Sequence, residues 1–239
     1  MITSPTVSVA IMQPYFLPYL GYWQLMSCVD KFVIYDDIQF TKKGWIHRNR
    51  FLKDGRDQLF TLPLKNDSDY LDVVERKISD IWPKEREALR RRLVSAYKKA
   101  PHFYEVMDLA NSILDEPCTS LFEFVYQSIV KVKLGLGIGT ELLISSRISD
   151  TRDLKGQNRV IEICKHLNSS VYVNPIGGIE LYNKDEFRCV GISLKFHRIF
   201  NVSYPQFNND FIPNLSILDV LMFNGFEETK SLLTKFELV

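Results

Sequence analysis

Between Tyr35 and Phe51 the chain gathers two acids, four bases, an imidazole and two amides: Asp36, Asp37, Gln39, Lys42, Lys43, His47, Arg48, Asn49 and Arg50, with Trp45 among them. Adjacent carboxylates after an apolar run suit a metal ligand, an acceptor for a ribose hydroxyl or an amine, or a general base. If the run continued as a strand, only one of the two would enter a site, because successive side chains point to opposite faces. Lys42, Lys43, Arg48 and Arg50 suit a phosphate or diphosphate through charge-assisted hydrogen bonds. Asn49, an amide between two arginines, suits recognition, and His47 titrates in the range of an acid/base group. The plain alternatives are a turn closed by one Asp and a solvated basic loop.

Two further groupings carry chemistry. The loop from Gln13 to Tyr22 holds two prolines, Pro14 and Pro18, which fix two φ angles, and Gly21, which permits close approach of backbone. It offers Gln13, Tyr15 and Tyr22 to a ligand. Later, Asn174, Gly177, Gly178 and Tyr182 follow an apolar run, and His197 ends another beside Lys195 and Arg198. Paired glycines there could bring N–H groups to an anion or could form an ordinary turn. No G-x-S-x-G, Walker A or G-x-G-x-x-G motif occurs; LGLGIGT at 134–140 follows a helix instead of a strand.

The elements that must position these groups follow from periodicity. Strands are expected at 6–12, 31–35, 59–64, 141–145, 171–174 and 192–196. Helices are expected at 22–28, from Pro83 to Pro101, at 103–114, 120–134, 157–167 and 181–187, and from Ser216 to Phe236 with a break at Gly225. Strand, loop, helix and strand within about thirty residues is βαβ spacing, so the first two strands should pair in parallel. Ligands of open parallel sheets sit at the carboxyl ends of strands, where both the Gln13 loop and Asp36-Asp37 fall. The expected fold is α/β: a Rossmann-like, mainly parallel sheet with helices on both faces. It forms a single domain over residues 1–239, with about 83–135 as a helical insertion or cap.

Composition fits a globular chain: 239 residues, 46% hydrophobic, 25% charged, net charge +1. That charge points to neither DNA nor an acidic membrane as partner. Cys28, Cys118, Cys164 and Cys189 lie far apart in apolar contexts, so buried thiols in a cytoplasmic compartment are expected and no metal site. The first residues lack the basic n-region of a signal peptide, and no apolar run is long enough to span a bilayer. Arg90–Arg92, with acids one turn earlier, reads as a surface ion-pair face.

The chain resembles the WbqC-like protein family. The resemblance rests on MQPYFLPYLGYW, DKFVIYDDIQFTKKGWIHRNR, LFTLPLK, VYVNPIGGIELY, LKFHR and YPQF…FIPNLSILDVLMFNG, in order along nearly the whole chain. The motif positions include Gln13, Tyr15, Gly21, Tyr22, Asp36, Asp37, Gln39, Trp45, Asn49, Arg50, Asn174, Gly177, Gly178, Tyr182 and Asp219. Many members carry His before Gln-Pro where this chain has Met12, and WINR where it has Trp45-Ile46-His47-Arg48. The family occurs in bacterial O-antigen and surface-polysaccharide gene clusters. The resemblance implies transfer of glycine or a related acyl group to the amine of a nucleotide-linked amino sugar. Asp37, His47 or Asp36 would then act as catalytic base. Arg48, Arg50, Asn49 and Lys42 would hold phosphate or oxyanion, and Tyr15, Tyr22 and Trp45 would stack on base or sugar. Gln13, Gln39, Asn174, Gly177, Gly178, Tyr182 and His197 complete the expected binding set. The donor is left open between thioester, aminoacyl-tRNA and free acid with ATP. Two alternatives stand beside this: an adenylating or nucleotidyl-transferring enzyme using ATP or CTP with Mg2+, and a non-catalytic sugar-nucleotide binder.

Overall fold

The computed structural model describes residues 6–148 and 151–239. The first five residues of the signal-peptide reading lie outside that range. β1 (Ser8–Met12), β2 (Lys31–Ile34), β5 (Glu141–Ile144), β6 (Val171–Pro175) and β7 (Ser193–Ile199) form a parallel sheet, closed at one edge by antiparallel β8 (Phe236–Leu238). The spatial order is β5-β2-β1-β6-β7-β8. Counted along this sheet alone, that is 3-2-1-4-5-6, the Rossmann order. The strand order reverses between β1 and β6, and a crevice opens there because the crossovers leave on opposite faces.

These strands are apolar on both sides, as a doubly covered parallel sheet requires. Ala10, Phe32, Ile34 and Val173 face one core with α1 (Leu20–Ser27) and α7 (Ile217–Leu232). Val9, Ile11, Val33, Tyr172, Leu194 and Phe196 face the other with α5 (Gly156–His166) and α6 (Lys184–Cys189). The middle of the chain supplies α2 (Trp82–Tyr97), α3 (Phe103–Leu114) and α4 (Leu121–Gly135), whose apolar faces join the first of these cores. α2 begins with Pro in its first turn and buries Leu89, Leu93 and Tyr97 at helical spacing. Arg90 pairs with Glu87 one turn earlier at 3.4 Å and, across to the end of α3, with Asp115 at 2.8 Å, so it joins two helices and is not a purely surface face.

Four local expectations are corrected. The polar stretch does not stay a loop: Arg48–Lys53 is β3, paired antiparallel with β4 (Arg56–Thr61) as a separate ribbon. Asp54 and Gly55 turn it with φ of 52° and 70°, the two left-handed residues a tight hairpin needs. The segment after β6 is a 3-10 turn, Ile176–Leu181, before α6. The chain end adds β8 to the sheet instead of continuing the helix, and Gly225, at φ 68°, kinks α7. Cys189 is exposed, whereas Cys164 is buried; all four thiols are free. Among the described residues no helix is long and apolar enough to cross a membrane, and no group of three or more His, Cys, Asp or Glu is placed to hold a metal ion.

Candidate functional site

The loop after β1 is held from three directions. Asn49 Nδ2 on β3 donates to the carbonyls of Phe16 at 3.1 Å and Leu17 at 2.7 Å. Ser216 Oγ, at the start of α7, donates to Leu17 O at 2.9 Å, and Trp23 Nε1 on α1 donates to Pro18 O at 3.1 Å. Leu17 sits at φ 49°, a backbone region that bulky residues occupy only when their surroundings over-determine it. Two segments far apart in sequence, at Asn49 and Ser216, thus converge on the Leu17 carbonyl. Asn49, expected to recognise a ligand, spends its amide donors on this loop.

The loop forms one wall of a cleft of about 460 Å³ at the carboxyl ends of β1, β6 and β7. This is where the strand order reverses. Tyr15, Tyr19, Tyr22, Trp45 and Ile176 make the cleft mostly apolar and aromatic. Burial pushes the phenols of Tyr15, Tyr19 and Tyr22 up, so these walls stay neutral. Arg50 carries the only charge among the described lining residues. It pairs with Asp57 at 3.0 Å, lies 5.3 Å over the Trp45 ring, and leaves Nε buried without a partner. His197, 3% exposed, lines the same cleft, and its Nε2 has no hydrogen-bond partner. Burial lowers its pKa to about 4. The imidazole is therefore neutral at neutral pH.

Asp36 and Asp37 do not line this cleft. They sit at the ends of β2 and β5, on two adjoining concavities of about 520 and 450 Å³ that also share Asp72 and Arg152. β2 ends at Ile34, so strand alternation does not reach the pair, and both carboxylates turn to one hydroxyl. Ser145 Oγ lies 2.8 Å from Asp36 Oδ1 and 2.5 Å from Asp37 Oδ1, and its single proton can serve one of them. Asp36 also accepts from Ser146 N at 3.0 Å and Ser146 Oγ at 2.6 Å. Asp37 Oδ2 is paired with Arg159 at 2.6 Å, and both residues are nearly buried, at 8% and 7% exposure. Every oxygen of the acid pair is occupied by the protein.

The remaining expected residues scatter. His47 lines none of these cavities; it packs edge-on against Phe40, and its pKa is lowered to about 4 by burial and then by Arg48 and Arg76. Arg48 turns back onto the Gly44 and Lys43 carbonyls and lies 5.6 Å from the Trp45 ring centre. Lys42 pairs with Asp69 at 2.6 Å, and Gln39 donates to Asp69 O at 3.0 Å while lining the smaller concavity beside Asp37. Gln13 offers its carbonyl to Tyr22 Oη at 3.2 Å. Asn174 binds Tyr172 Oη and Pro175 O, and Tyr182 edges onto Tyr172. Gly178 is small for a packing reason: a Cβ there would come within 2.3 Å of the Asn174 amide. Around Gly177 nothing lies within 4 Å of such a Cβ.

The sequence reading did not single out Tyr19, Ile176, Ile199 or Asn214 as lining residues. Ile199 was within reach: with β7 extended past Phe196, period-2 alternation puts it on the face of His197. Asn214 lies in the FIPNLS segment already noted as a motif.

The profile of the WbqC-like protein family matches residues 13–231. The chain is similar to the uncharacterized protein Rv1507c of Mycobacterium tuberculosis (strain ATCC 25618 / H37Rv), 30% identical over 227 residues, covering 92% of this chain and 94% of that protein. No solved structure matches it.

Proposed function

The chain belongs to the WbqC-like protein family, and on that premise we propose that it is an enzyme of bacterial surface-polysaccharide assembly. In this reading it binds a nucleotide-linked amino sugar and transfers an acyl group, glycyl or related, to the sugar amine. One observation carries the reading: the aromatic cleft with a single guanidinium lies where the strand order of a Rossmann-ordered sheet reverses. Its size and its few convergent polar groups are those of a small-molecule site. Tyr15, Tyr22 and Trp45 offer faces to a base or sugar ring, and Arg50 offers charge to a phosphate. The helical middle, about 83–135, packs into the core behind this site as a helical insertion.

The acid pair is not the base in this reading, because it lines other concavities and not the cleft. Asp36 and Asp37 fasten β2 to β5 and α5.

The Rossmann strand order also favours a second reading, an adenylating or nucleotidyl-transferring enzyme. One assay separates the two. Purified protein is incubated with UDP- and dTDP-linked amino sugars and, in turn, a glycyl thioester, glycyl-tRNA, or glycine with ATP and Mg2+. The expected result is an amide-linked product, seen by mass spectrometry, with one donor class. Pyrophosphate release with ATP or CTP and no sugar acylation would favour the second reading. Saturable binding without any product would leave a sugar-nucleotide binder.

A further inference from the structure

We propose that His197 Nε2 is the proton acceptor of the aromatic cleft, taking a hydrogen bond, and in turnover a proton, from the amine of the bound sugar. The proposal rests on the reading of the cleft as the amino-sugar site.

Placement supports it first. His197 stands at the carboxyl end of β7, in register with Pro175 of β6 on one side and Leu238 of β8 on the other. The Phe236 ring packs on the imidazole with centres 4.7 Å apart, which fixes the plane of the ring. The residue is 3% exposed and borders the cleft. A buried polar atom without a partner is costly, and most such atoms in folded proteins are satisfied. His197 Nε2 and Arg50 Nε are the two such unpartnered atoms on described residues that line this cleft. With the ring neutral and its proton on Nδ1, the Nε2 lone pair is left to a ligand.

Elimination supports it second. The titratable side chains among the described lining residues are Tyr15, Tyr19, Tyr22, Arg50 and His197. The tyrosines stay protonated because burial raises them, and a guanidinium does not accept protons. Asp36 and Asp37 line other concavities. His47 lines none of those described.

The step balances simply. The amine nitrogen attacks the acyl carbonyl, a C–N bond forms, and the bond to the leaving group breaks with its electron pair going to a thiolate or phosphate oxygen. The proton shed by the amine passes to Nε2 and then to the leaving group.

Long-range 1H–15N correlation of the imidazoles tests this in the wild-type chain. The probes are UDP-glucosamine and dTDP-4-amino-4,6-dideoxyglucose. The expected result is a free protein with Nε2 of His197 in its unprotonated, pyridine-like state and an upfield shift of that nitrogen that saturates with ligand. His197→Gln should then lower transfer by about 100-fold or more while retaining binding. Saturating shifts at the Trp45 indole with no change at His197 would overturn the proposal and leave the site reading standing. No shift at either residue with either probe would overturn the site reading and the proposal together.

Discussion

Asp219→Ala is expected to destabilise the protein by about 3–5 kcal/mol, read as a fall in the urea midpoint. Asp219 is fully buried on α7 and accepts three hydrogen bonds: Tyr97 Oη at 2.6 Å, Tyr204 Oη at 2.8 Å and Gln206 Nε2 at 2.8 Å. Tyr97 Oη in turn accepts from Leu52 N at 2.9 Å, so one carboxylate joins α2, β3, α7 and the segment before it. Alanine would leave three buried donors without an acceptor, and each costs about 1–3 kcal/mol. A loss below about 1 kcal/mol would show that the knot does not hold the fold. A pH dependence goes with it. Burial raises the Asp219 carboxyl above its ordinary value, and the three hydrogen bonds pull it part of the way back. The folded state therefore holds this proton more tightly than the unfolded chain. The associated stability is present in acid and is lost as pH rises from the ordinary carboxylate range through the folded value. Asp219→Asn should flatten that part of the stability curve.

The second large effect is expected at Arg159. Arg159→Met leaves Asp37 buried without its counter-charge and should cost about 3–5 kcal/mol, while Arg159→Met with Asp37→Leu should recover most of it. The pair also positions secondary structure: Arg159 Nη1 donates to Asp37 O at 3.2 Å, and its guanidinium lies 4.8 Å over Tyr35. A double-mutant cycle in urea measures the coupling. A coupling near zero would mean that the 2.6 Å contact contributes nothing and that Asp37 is available for other chemistry.

Most of the sheet could be read from the sequence because its strands are apolar on both faces and bounded by proline, glycine and charged residues. The parallel β1–β2 pair follows from spacing alone. The hairpin was also written there: Asp54-Gly55 between Phe51-Leu52 and Leu59-Phe60 is a strong two-residue turn signal. The density of charge just before it disguised β3 as loop. β8 was illegible for another reason: three residues after a helix carry too little pattern, and the strand forms only because β7 offers an edge.

The candidate site divides the same way. Tyr15, Tyr22, Trp45, Arg50 and His197, all among the expected binding residues, line one cleft. The sequence reading also joined Asp36, Asp37 and His47 to them, because they are neighbours in sequence. In the fold a polar segment can turn its side chains to several elements. Here the acids go to Ser145, Ser146 and Arg159, and the histidine goes to Phe40. Motif density marked the region and could not assign the partners. The buried knot at Asp219 shows the same limit: its position was noted as a motif, yet only the fold shows that it fastens four segments.

The most direct test of the cleft as a sugar-nucleotide site is calorimetric titration of wild type and Arg50→Met with UDP- and dTDP-linked amino sugars. Wild type should bind one of these saturably at one site per chain. Arg50→Met should bind it at least about tenfold more weakly, since a charged hydrogen bond to phosphate contributes about 1.5–3 kcal/mol. Equal affinity in the two proteins, or no binding by wild type, would contradict the placement of the ligand in this cleft.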